Sequence, residues 1–445
     1  MIRRPYRFLN AAAILAAAFL ILSACRKDDK EASSQKKYSL TEMYRYTPDE
    51  FAEHVFNPES PVSEELGEFV VATEQAAVKA KNLALGVKMA RETASLHPDW
   101  GYRKFVLEYK SKDARGKDIT LSEVVALPVG TGWDHHPDKI VLSSHFTLYS
   151  DIERPSGPYA DIMMAVAASD AVFISPDLEG YGASVERVHP YLAHDVIARQ
   201  SVDGVLAPLQ LLEDQGITLK EGYKLFNVGY SQGGSYALAI HKYMENRCSR
   251  REKDLLKLTK TYSCGGVYAP KETFFWYLEQ ERILFPGALP LVVDGMLSAH
   301  PKIMAGLREE DFFTQKFMDC GIFDLIHEKG TGMPALHDYI HEKVGWNVSD
   351  IMSEDLLTPG TKVRTALEQA LAEEDLTRGW YPVKPVVLYH ATDDLYVPFL
   401  NATQAMLGLG TGNIKLATIP PLSEDMAHYL TGVVYYFRVI LGELE

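Results

Sequence analysis

The feature that most constrains the fold is an alternation of short apolar runs and helical segments that begins at Lys139. The apolar runs are KIVLSSH (139–145), AVFISPD (171–177), KLFNVGY (224–230), TYSCGGVYA (261–269), PVVLYHA (385–391) and NIKLATIP (413–420). Helices are predicted near 159–169, 195–213, 233–247, 399–408 and 428–442. Continuous apolar strands that alternate with helices indicate an α/β fold with a parallel sheet covered on both faces. Such sheets place functional residues at the carboxyl ends of their strands.

The rest of the chain predicts three further features. Residues 40–95 are expected to be mostly helical, with EQAAVKAKNLALGVKMARETA as the clearest stretch. The segment YRKFVLEYKSKDARGKDITLSEVVALPVG predicts an antiparallel hairpin around DARGKD. Residues 271 to about 380 contain no convincing strand, but FFWYLEQERILFPGALPLVVDGML and VRTALEQALAEEDL look helical. Because this interval interrupts the alternation after a strand, we expect a helical cap over the strand ends; an independent helical domain is the alternative.

One serine is surrounded by glycines in GYSQGG (229–234), which directly follows an apolar strand and precedes a helical segment. This is the context of the Gly-x-Ser-x-Gly elbow, in which a sharp bend exposes a nucleophilic serine. Glycine at 229 and 233 would keep side chains out of the crossing between strand and helix. Ser231 is therefore the predicted nucleophile, and a flexible turn is the alternative.

A serine hydroxyl needs a base to take its proton and a carboxylate to orient that base. On parallel sheets these groups follow the serine in the order carboxylate, then histidine. The strand end YHATDDLYVP offers both Asp393 and Asp394, and TIPPLSEDMAHYLTG places His428 at the start of the final helix. The residues alone leave the choice between the two aspartates open.

Acyl transfer also needs N–H donors for the oxyanion that develops in the transition state. The elbow predicts the backbone N–H of Gln232 as one donor. The loop after His145, in SHFTLYS, predicts Phe146 or Thr147 as the other; a loop that merely turns is the alternative.

The remaining histidines and cysteines give no comparable signal. His337 and His341 share a helical face in HDYIHE, as in zinc motifs, but no third ligand is in view. We therefore expect no metal and no cofactor. Cys248, Cys264 and Cys320 remain beyond the N-terminal segment. A disulfide between the first two is one interpretation, and a free Cys264 packed in a buried strand is the other.

The segments GYSQGG, YHATDDLYVP, AHYLTG, SPDLEGYGAS and HPYLAHDVIARQSVDGVLA together resemble the alpha/beta-hydrolase superfamily. Within it, the chain looks like the secretory-lipase-like serine esterases and their bacterial lipoprotein relatives, over roughly residues 100–445. The resemblance implies an alpha/beta-hydrolase fold, which is a mostly parallel sheet covered by helices on both faces, with a helical cap insertion.

The same resemblance implies the role of each site residue. Ser231 would be the nucleophile, His428 the base and Asp394 the orienting acid, because the family places Val-Pro three and four residues after the acid. Two positions depart from the family pattern. His390-Ala391 and His145-Phe146 stand where the family has His-Gly, and a phenylalanine does not reach positive φ as readily as glycine.

The N-terminus predicts export and lipid anchoring. Three arginines precede an apolar stretch over 11–22, which indicates a secretory signal; a transmembrane anchor is the alternative. LSAC resembles the bacterial lipobox, which implies a lipid on Cys25, and the following RKDDK resembles the surface-export tag of Bacteroidota lipoproteins. The expected location is the bacterial cell envelope, on the outer membrane.

These features divide the chain into five segments: a lipoprotein signal peptide (1–25), a flexible polar tether (26–38), the first part of the hydrolase core with its N-terminal helices and hairpin (39–270), the helical cap (271–380) and the C-terminal part of the core (381–445). The net charge of −15 would repel phosphate backbones, so nucleic acid is not an expected partner. The expected partners are the membrane, through Cys25, and a small-molecule ester or lipid substrate.

The expected function is a serine esterase or lipase. A serine peptidase or carbohydrate deacetylase with the same residues is one alternative, and a catalytically silent surface binding lipoprotein is another. The aromatic cluster 274–276 would either line an acyl pocket or pack within the cap. Because a general base must be neutral, activity is expected to fall below about pH 6.5.

Overall fold

The structure is a computed structural model and describes residues 38–46, 100–129, 136–158, 171–419 and 427–439. All strands in these residues belong to one sheet. The strands are β1 Tyr38–Tyr46, β2 Trp100–Lys112, β3 Asp118–Pro128, β4 Lys139–Ser144, β5 Ala171–Pro176, β6 Lys224–Tyr230, β7 Leu258–Cys264, β8 Val386–Ala391 and β9 Ile414–Ile419. Their order across the sheet is β1-β2-β3-β5-β4-β6-β7-β8-β9.

The sheet is antiparallel at one end and parallel over the rest. β2 and β3 form the predicted hairpin, and β1 and β5 flank it as further antiparallel neighbours. From β5 to β9 all neighbouring strands are parallel. β5 is buried along its whole length, as expected of a strand covered on both faces. The carboxyl ends of the parallel strands therefore meet at one edge of the sheet.

Two predicted elements differ from the structure. Residues 40–46 form part of β1 instead of a helix, because they pair antiparallel with β2. The register of this pairing shifts between Leu40 and Glu42, and this irregularity interrupts the two-residue alternation by which a strand is recognised. β7 spans Leu258–Cys264 rather than 261–269, since Gly265 turns the chain with a φ of 56°.

The helices fall into three groups along the chain. The first group is α1 His194–Leu206, α2 Leu209–Asp214, α3 Gln232–Asn246 and α4 Arg250–Leu256. The interval between β7 and β8 contains α5 Pro270–Leu278, α6 Ala288–Ala299, α7 Glu309–Phe312, α8 Gln315–Asp319, α9 Ile322–Glu328, α10 Met333–Lys343, α11 Val348–Ile351, α12 Glu354–Leu357 and α13 Lys362–Glu373. The last group is α14 Leu400–Leu409 and α15 Ala427–Arg438. The single helix predicted over 195–213 is two helices, because Pro208 has no N–H with which to continue the first.

Helices cover both faces of the sheet. On one face, Leu225 of β6 and Leu388 of β8 pack with Leu238 of α3 in one apolar cluster. Successive side chains of a strand point to opposite faces. The next residue of β8, Tyr389, accordingly lies on the other face, where its ring centroid is 5.4 Å from that of Tyr435 of α15.

The helices between β7 and β8 supply most of a second apolar cluster, whose fully buried residues include Phe312, Phe317 and Leu367. We call these helices the cap. The three cysteines Cys248, Cys264 and Cys320 are free thiols, and the first two are buried.

Several predictions concern residues that the structure does not describe. Outside the described residues lie the signal peptide with Cys25 and the tether except Tyr38. The same holds for residues 47–95 of the predicted helical region and for the helix predicted at 159–169. Within the described part of the chain, no helix has the length and apolar character needed to cross a membrane.

Candidate active site

Ser231 lies in the turn between β6 and α3 with a φ of 57° and a ψ of −123°. A Cβ added to Gly229 would lie 2.0 Å from the carbonyl oxygen of Gly233. A Cβ added to Gly233 would lie 2.0 Å from the carbonyl oxygen of Ser144. Glycine is therefore required at both positions because backbone segments approach too closely for any side chain. The turn holds Ser231 in a conformation that a non-glycine residue adopts only under strain.

Three distant side chains meet at this turn. Oγ of Ser231 lies 2.8 Å from Nε2 of His428. Nδ1 of His428 lies 2.7 Å from Oδ2 of Asp394. They come from the turn after β6, the start of α15 and the loop after β8. In this arrangement the imidazole can take the hydroxyl proton at Nε2 while its Nδ1–H donates to the carboxylate.

Of the two adjacent aspartates, Asp394 is the one hydrogen-bonded to His428. Its side chain is buried, and its Oδ1 accepts hydrogen bonds from the backbone N–H groups of Tyr396 at 2.9 Å and Val397 at 2.8 Å. Burial alone would raise the pKa of this carboxyl group, but the charge and hydrogen bond of His428, the nearby His390 and the N–H of Val397 together hold it below its usual range. Asp394 is therefore a carboxylate, as an orienting group must be.

Two tyrosine rings hold the imidazole of His428. The ring centroid of Tyr230 lies 5.1 Å away and that of Tyr396 5.8 Å away, at interplanar angles of 33° and 24°. The hydroxyl of Tyr230 also donates to the backbone carbonyl of His428, at 3.1 Å. The sequence reasoning missed both rings, although each tyrosine lies within a motif that it used.

Gln232 is the first residue of α3, so its backbone N–H is among those that lack a partner within the helix. Its side-chain Nε2 donates to the hydroxyl of Tyr236 at 2.6 Å and to Nε2 of His189 at 2.7 Å. Burial lowers the pKa of His189 to about 3, so this ring is neutral. Its Nδ1–H donates to the carbonyl of Glu179 at 2.7 Å, which leaves Nε2 to accept. This buried network fixes the side chain next to Ser231, and the sequence reasoning did not find it.

No protein-family model and no curated protein matches the chain, but solved structures do. The rice cell wall degrading esterase LipA from Xanthomonas oryzae superposes with a TM-score of 0.65 at 19% identity, over 90% of this chain and 97% of that one. Lipase A from Candida antarctica superposes with a TM-score of 0.53 at 18% identity, over 75% of each chain. The chain has the alpha/beta-hydrolase fold. The fold predicted from the sequence is thereby confirmed.

In this alpha/beta-hydrolase fold, the loop after β4 runs beside the elbow. Nδ1 of His145 lies 2.6 Å from the carbonyl oxygen of Phe146, and Nε2 lies 3.2 Å from that of Asp177. Because a carbonyl oxygen only accepts, the shorter contact is a hydrogen bond from Nδ1–H to Phe146. In a trans peptide, a carbonyl and the following N–H point in opposite directions. The N–H of Thr147 therefore points away from the His145 ring. Since Phe146 and Thr147 both line the cavity that contains Ser231, this geometry favours Thr147 as the second donor.

A cavity that is open to solvent has Ser231 and His428 in its wall, and its empty space, counted together with the solvent-filled mouth, is about 810 Å³. The cap supplies much of its apolar wall, through Phe274, Leu289, Val292 and Met333. Of the aromatic cluster 274–276, Phe274 lines the cavity, whereas the other two residues are half-buried against the apolar cluster of the cap. All three residues pack in the apolar cluster of the cap, and Phe274 also lines the cavity.

The histidine pair on α10 is part of the packing of the cap. The ring of His337 lies 4.4 Å from that of Phe285, and burial lowers its pKa to about 3. The ring of His341 stacks on Trp346, and its Nε2 donates to the carbonyl of Ile283 at 3.1 Å. Their i, i+4 spacing therefore reflects two separate packing roles.

Proposed function

We propose that the chain is a serine hydrolase that cleaves carboxylic esters. The observation that carries this proposal is the continuous hydrogen-bonded arrangement of Ser231, His428 and Asp394 at the carboxyl edge of the sheet. A hydroxyl, a neutral imidazole and a buried carboxylate in this order are what acyl transfer through a serine needs.

The reaction proceeds in two halves. Nε2 of His428 takes the proton from Ser231 while Oγ attacks the ester carbonyl, whose electron pair moves onto its oxygen. The backbone N–H groups of Gln232 and Thr147 donate to that oxyanion. The imidazolium passes its proton to the leaving alcohol, and the acyl group remains on Oγ. Water then repeats these steps, which releases the acid and restores the serine.

The cavity supports an ester with an apolar acyl group. Its walls are mainly aromatic and aliphatic. A peptide substrate would bring backbone N–H and C=O groups that need partners in the site, and a sugar would bring hydroxyl groups. The two structural neighbours are named as an esterase and a lipase, which supports the same class of reaction.

We further propose that this hydrolase is lipid-anchored at Cys25 in the bacterial cell envelope. The support for this proposal is the lipobox-like LSAC after an apolar stretch. Metabolic labelling with an alkyne-tagged fatty acid tests it: wild type should carry the label and Cys25→Ser should not. Equal labelling of both chains would contradict the proposal.

A fluorophosphonate probe, which reacts with activated serines, tests the catalytic proposal. Wild type should be labelled and Ser231→Ala should not, whereas Ser249→Ala, which removes an exposed serine at the start of α4, should be labelled as well as wild type. Folded wild type that takes no label would instead support a silent binding protein.

A substrate series then separates the hydrolase classes. p-Nitrophenyl esters of increasing acyl length should be cleaved with a kcat/KM well above that of the corresponding peptide anilides and of acetylated sugars. A preference for the anilides would indicate a peptidase, and a preference for the acetylated sugars a deacetylase.

A further inference from the structure

A second cluster of chemically active side chains lies in the cap, apart from Ser231. Asp294 of α6, Glu309 of α7 and His327 of α9 bring one possible ligand atom each to within 4.8 Å of one another. These residues come from three different helices and are far apart in sequence. No spacing motif could therefore have indicated the cluster.

The buried carboxylate of Asp294 indicates that this cluster binds a cation. Its side chain is 4% exposed, and its Oδ2 accepts a hydrogen bond from Nε2 of His327 at 2.9 Å. Its Oδ1 is also buried, yet no donor among the described residues reaches it. A buried carboxylate oxygen without a donor is costly. When both groups are ionised, the nearby carboxylate of Glu309 cannot relieve this cost, because it too only accepts. Burial raises the pKa of both carboxyl groups, and a proton held between them is the alternative to a cation.

The nearest buried cation is already engaged. Lys329 borders the same small cavity as Asp294 and His327. Its Nζ donates to the carbonyl oxygens of Val185 and Arg187, each at 2.6 Å, and also to that of Gly180. An ammonium group has three protons, so these contacts use all of them. Lys329 is therefore not available to neutralise the two carboxylates.

We propose that Asp294, Glu309 and His327 bind a zinc ion that ties three helices of the cap together. One imidazole nitrogen and two carboxylate oxygens form a donor set that zinc accepts, with water as the fourth ligand. Calcium and magnesium favour six or more oxygen ligands, which this cluster does not offer. Zinc bonds of 2.0–2.2 Å place tetrahedral ligands about 3.4 Å apart, so small side-chain movements would complete the site.

This site would stabilise the wall of the large cavity. Asp294 is on α6, the helix that also presents Leu289 and Val292 to the space above Ser231. A metal bond from α6 to α7 and α9 would oppose movement of that wall. The expected effect is therefore on the stability of the cap, and it does not require the metal to touch the substrate.

Isothermal titration of the chelator-treated full chain with zinc chloride tests the proposal. Wild type should bind one zinc ion, and Glu309→Gln and Asp294→Asn should each weaken binding at least tenfold, because each removes a charged ligand. Glu310→Gln is the matched control: this exposed neighbour pairs with Arg308 at the surface, so its loss should leave the affinity unchanged.

Melting temperatures provide the second readout. Zinc should raise the melting temperature of wild type and of Glu310→Gln but not that of Glu309→Gln, and equal concentrations of calcium or magnesium should not reproduce the rise. Wild type that binds no zinc, Glu309→Gln that binds zinc as well as Glu310→Gln does, or equal stabilisation by calcium would overturn the proposal. Circular dichroism of each variant without metal distinguishes a loss of zinc binding from a loss of folding.

Discussion

The backbone of Ser231 allows a test of the elbow that does not depend on catalysis. With a φ of 57° and a ψ of −123°, this residue occupies a region in which a side chain is strained, at a cost of about 1–3 kcal/mol. Glycine has no such penalty, whereas alanine keeps it. We therefore compare Ser231→Gly with Ser231→Ala, since both variants lose the hydroxyl and its hydrogen bond to His428.

The size of the difference follows from two terms. Relief of strain contributes about 2 kcal/mol in favour of glycine. The greater entropy of glycine in the unfolded chain offsets about 0.7 kcal/mol of this. The side chain of Ser231 makes no capping hydrogen bond to α3, so no cap is lost in either variant. Ser231→Gly should consequently be more stable than Ser231→Ala by about 1 kcal/mol.

Urea denaturation followed by circular dichroism measures this difference. The control is an exposed position in the middle of α13, where Gln369→Gly should be less stable than Gln369→Ala by about 1 kcal/mol. The difference in stability between the glycine and the alanine variant should therefore have opposite signs at positions 231 and 369. If Ser231→Gly is no more stable than Ser231→Ala, the elbow is not strained and the reasoning is wrong.

Four further predictions concern the site and its surroundings. Asp394→Asn should lower kcat for an ester by about 10⁴-fold, because the imidazole loses its orienting carboxylate, while Asp393→Asn should stay within tenfold; equal losses would contradict the assignment. His145→Ala should lower kcat about tenfold with little change in KM, because it releases the Phe146–Thr147 peptide; an unchanged kcat would exclude this role. The folded pKa of His337, about 3, means that only the unfolded chain binds its proton between about pH 3 and 6.5, so the contribution of this residue to stability falls on acidification by about 1.4 kcal/mol per pH unit. In urea denaturation, His337→Phe should reduce the slope of stability against pH by that amount, and an identical slope would refute it. Val292→Trp should fill the cavity, so that kcat/KM for a dodecanoate ester falls at least tenfold while that for a butyrate ester is kept; parallel losses would place the acyl chain elsewhere.

The elbow could be predicted because its determinants are local. Gly229 and Gly233 each avoid a clash with a backbone carbonyl, so one short stretch of sequence carries the geometry. The apolar runs that became β4 to β8 were equally informative, since strands buried on both faces need continuous apolar residues. These runs predicted an α/β fold with a parallel sheet, and the family resemblance of the motifs implied that this is the alpha/beta-hydrolase fold.

What the sequence did not reveal depends on contacts between distant residues. β1 exists because it pairs with β2, and its own alternation is interrupted by the shift in register. Neither Gln232 nor His189 indicates alone that an amide will donate to a neutral buried imidazole. The end of β7 was misplaced for a different reason: Gly265 and its neighbours continue an apolar run, and the turn is set by backbone conformation.

The position of the cap over the core depends on buried polar groups that need partners. Lys329, which follows α9, donates to three carbonyl groups of the 180–187 loop in the core. Glu374, at the end of α13, accepts from the backbone N–H of His194 in the core and from Nε2 of His300 in the cap. Apolar surfaces can slide past one another with little loss, but a displaced cap would leave a buried ammonium and a buried carboxylate without partners. We therefore infer that these two charges fix where the cap sits, and with it the depth of the cavity above Ser231.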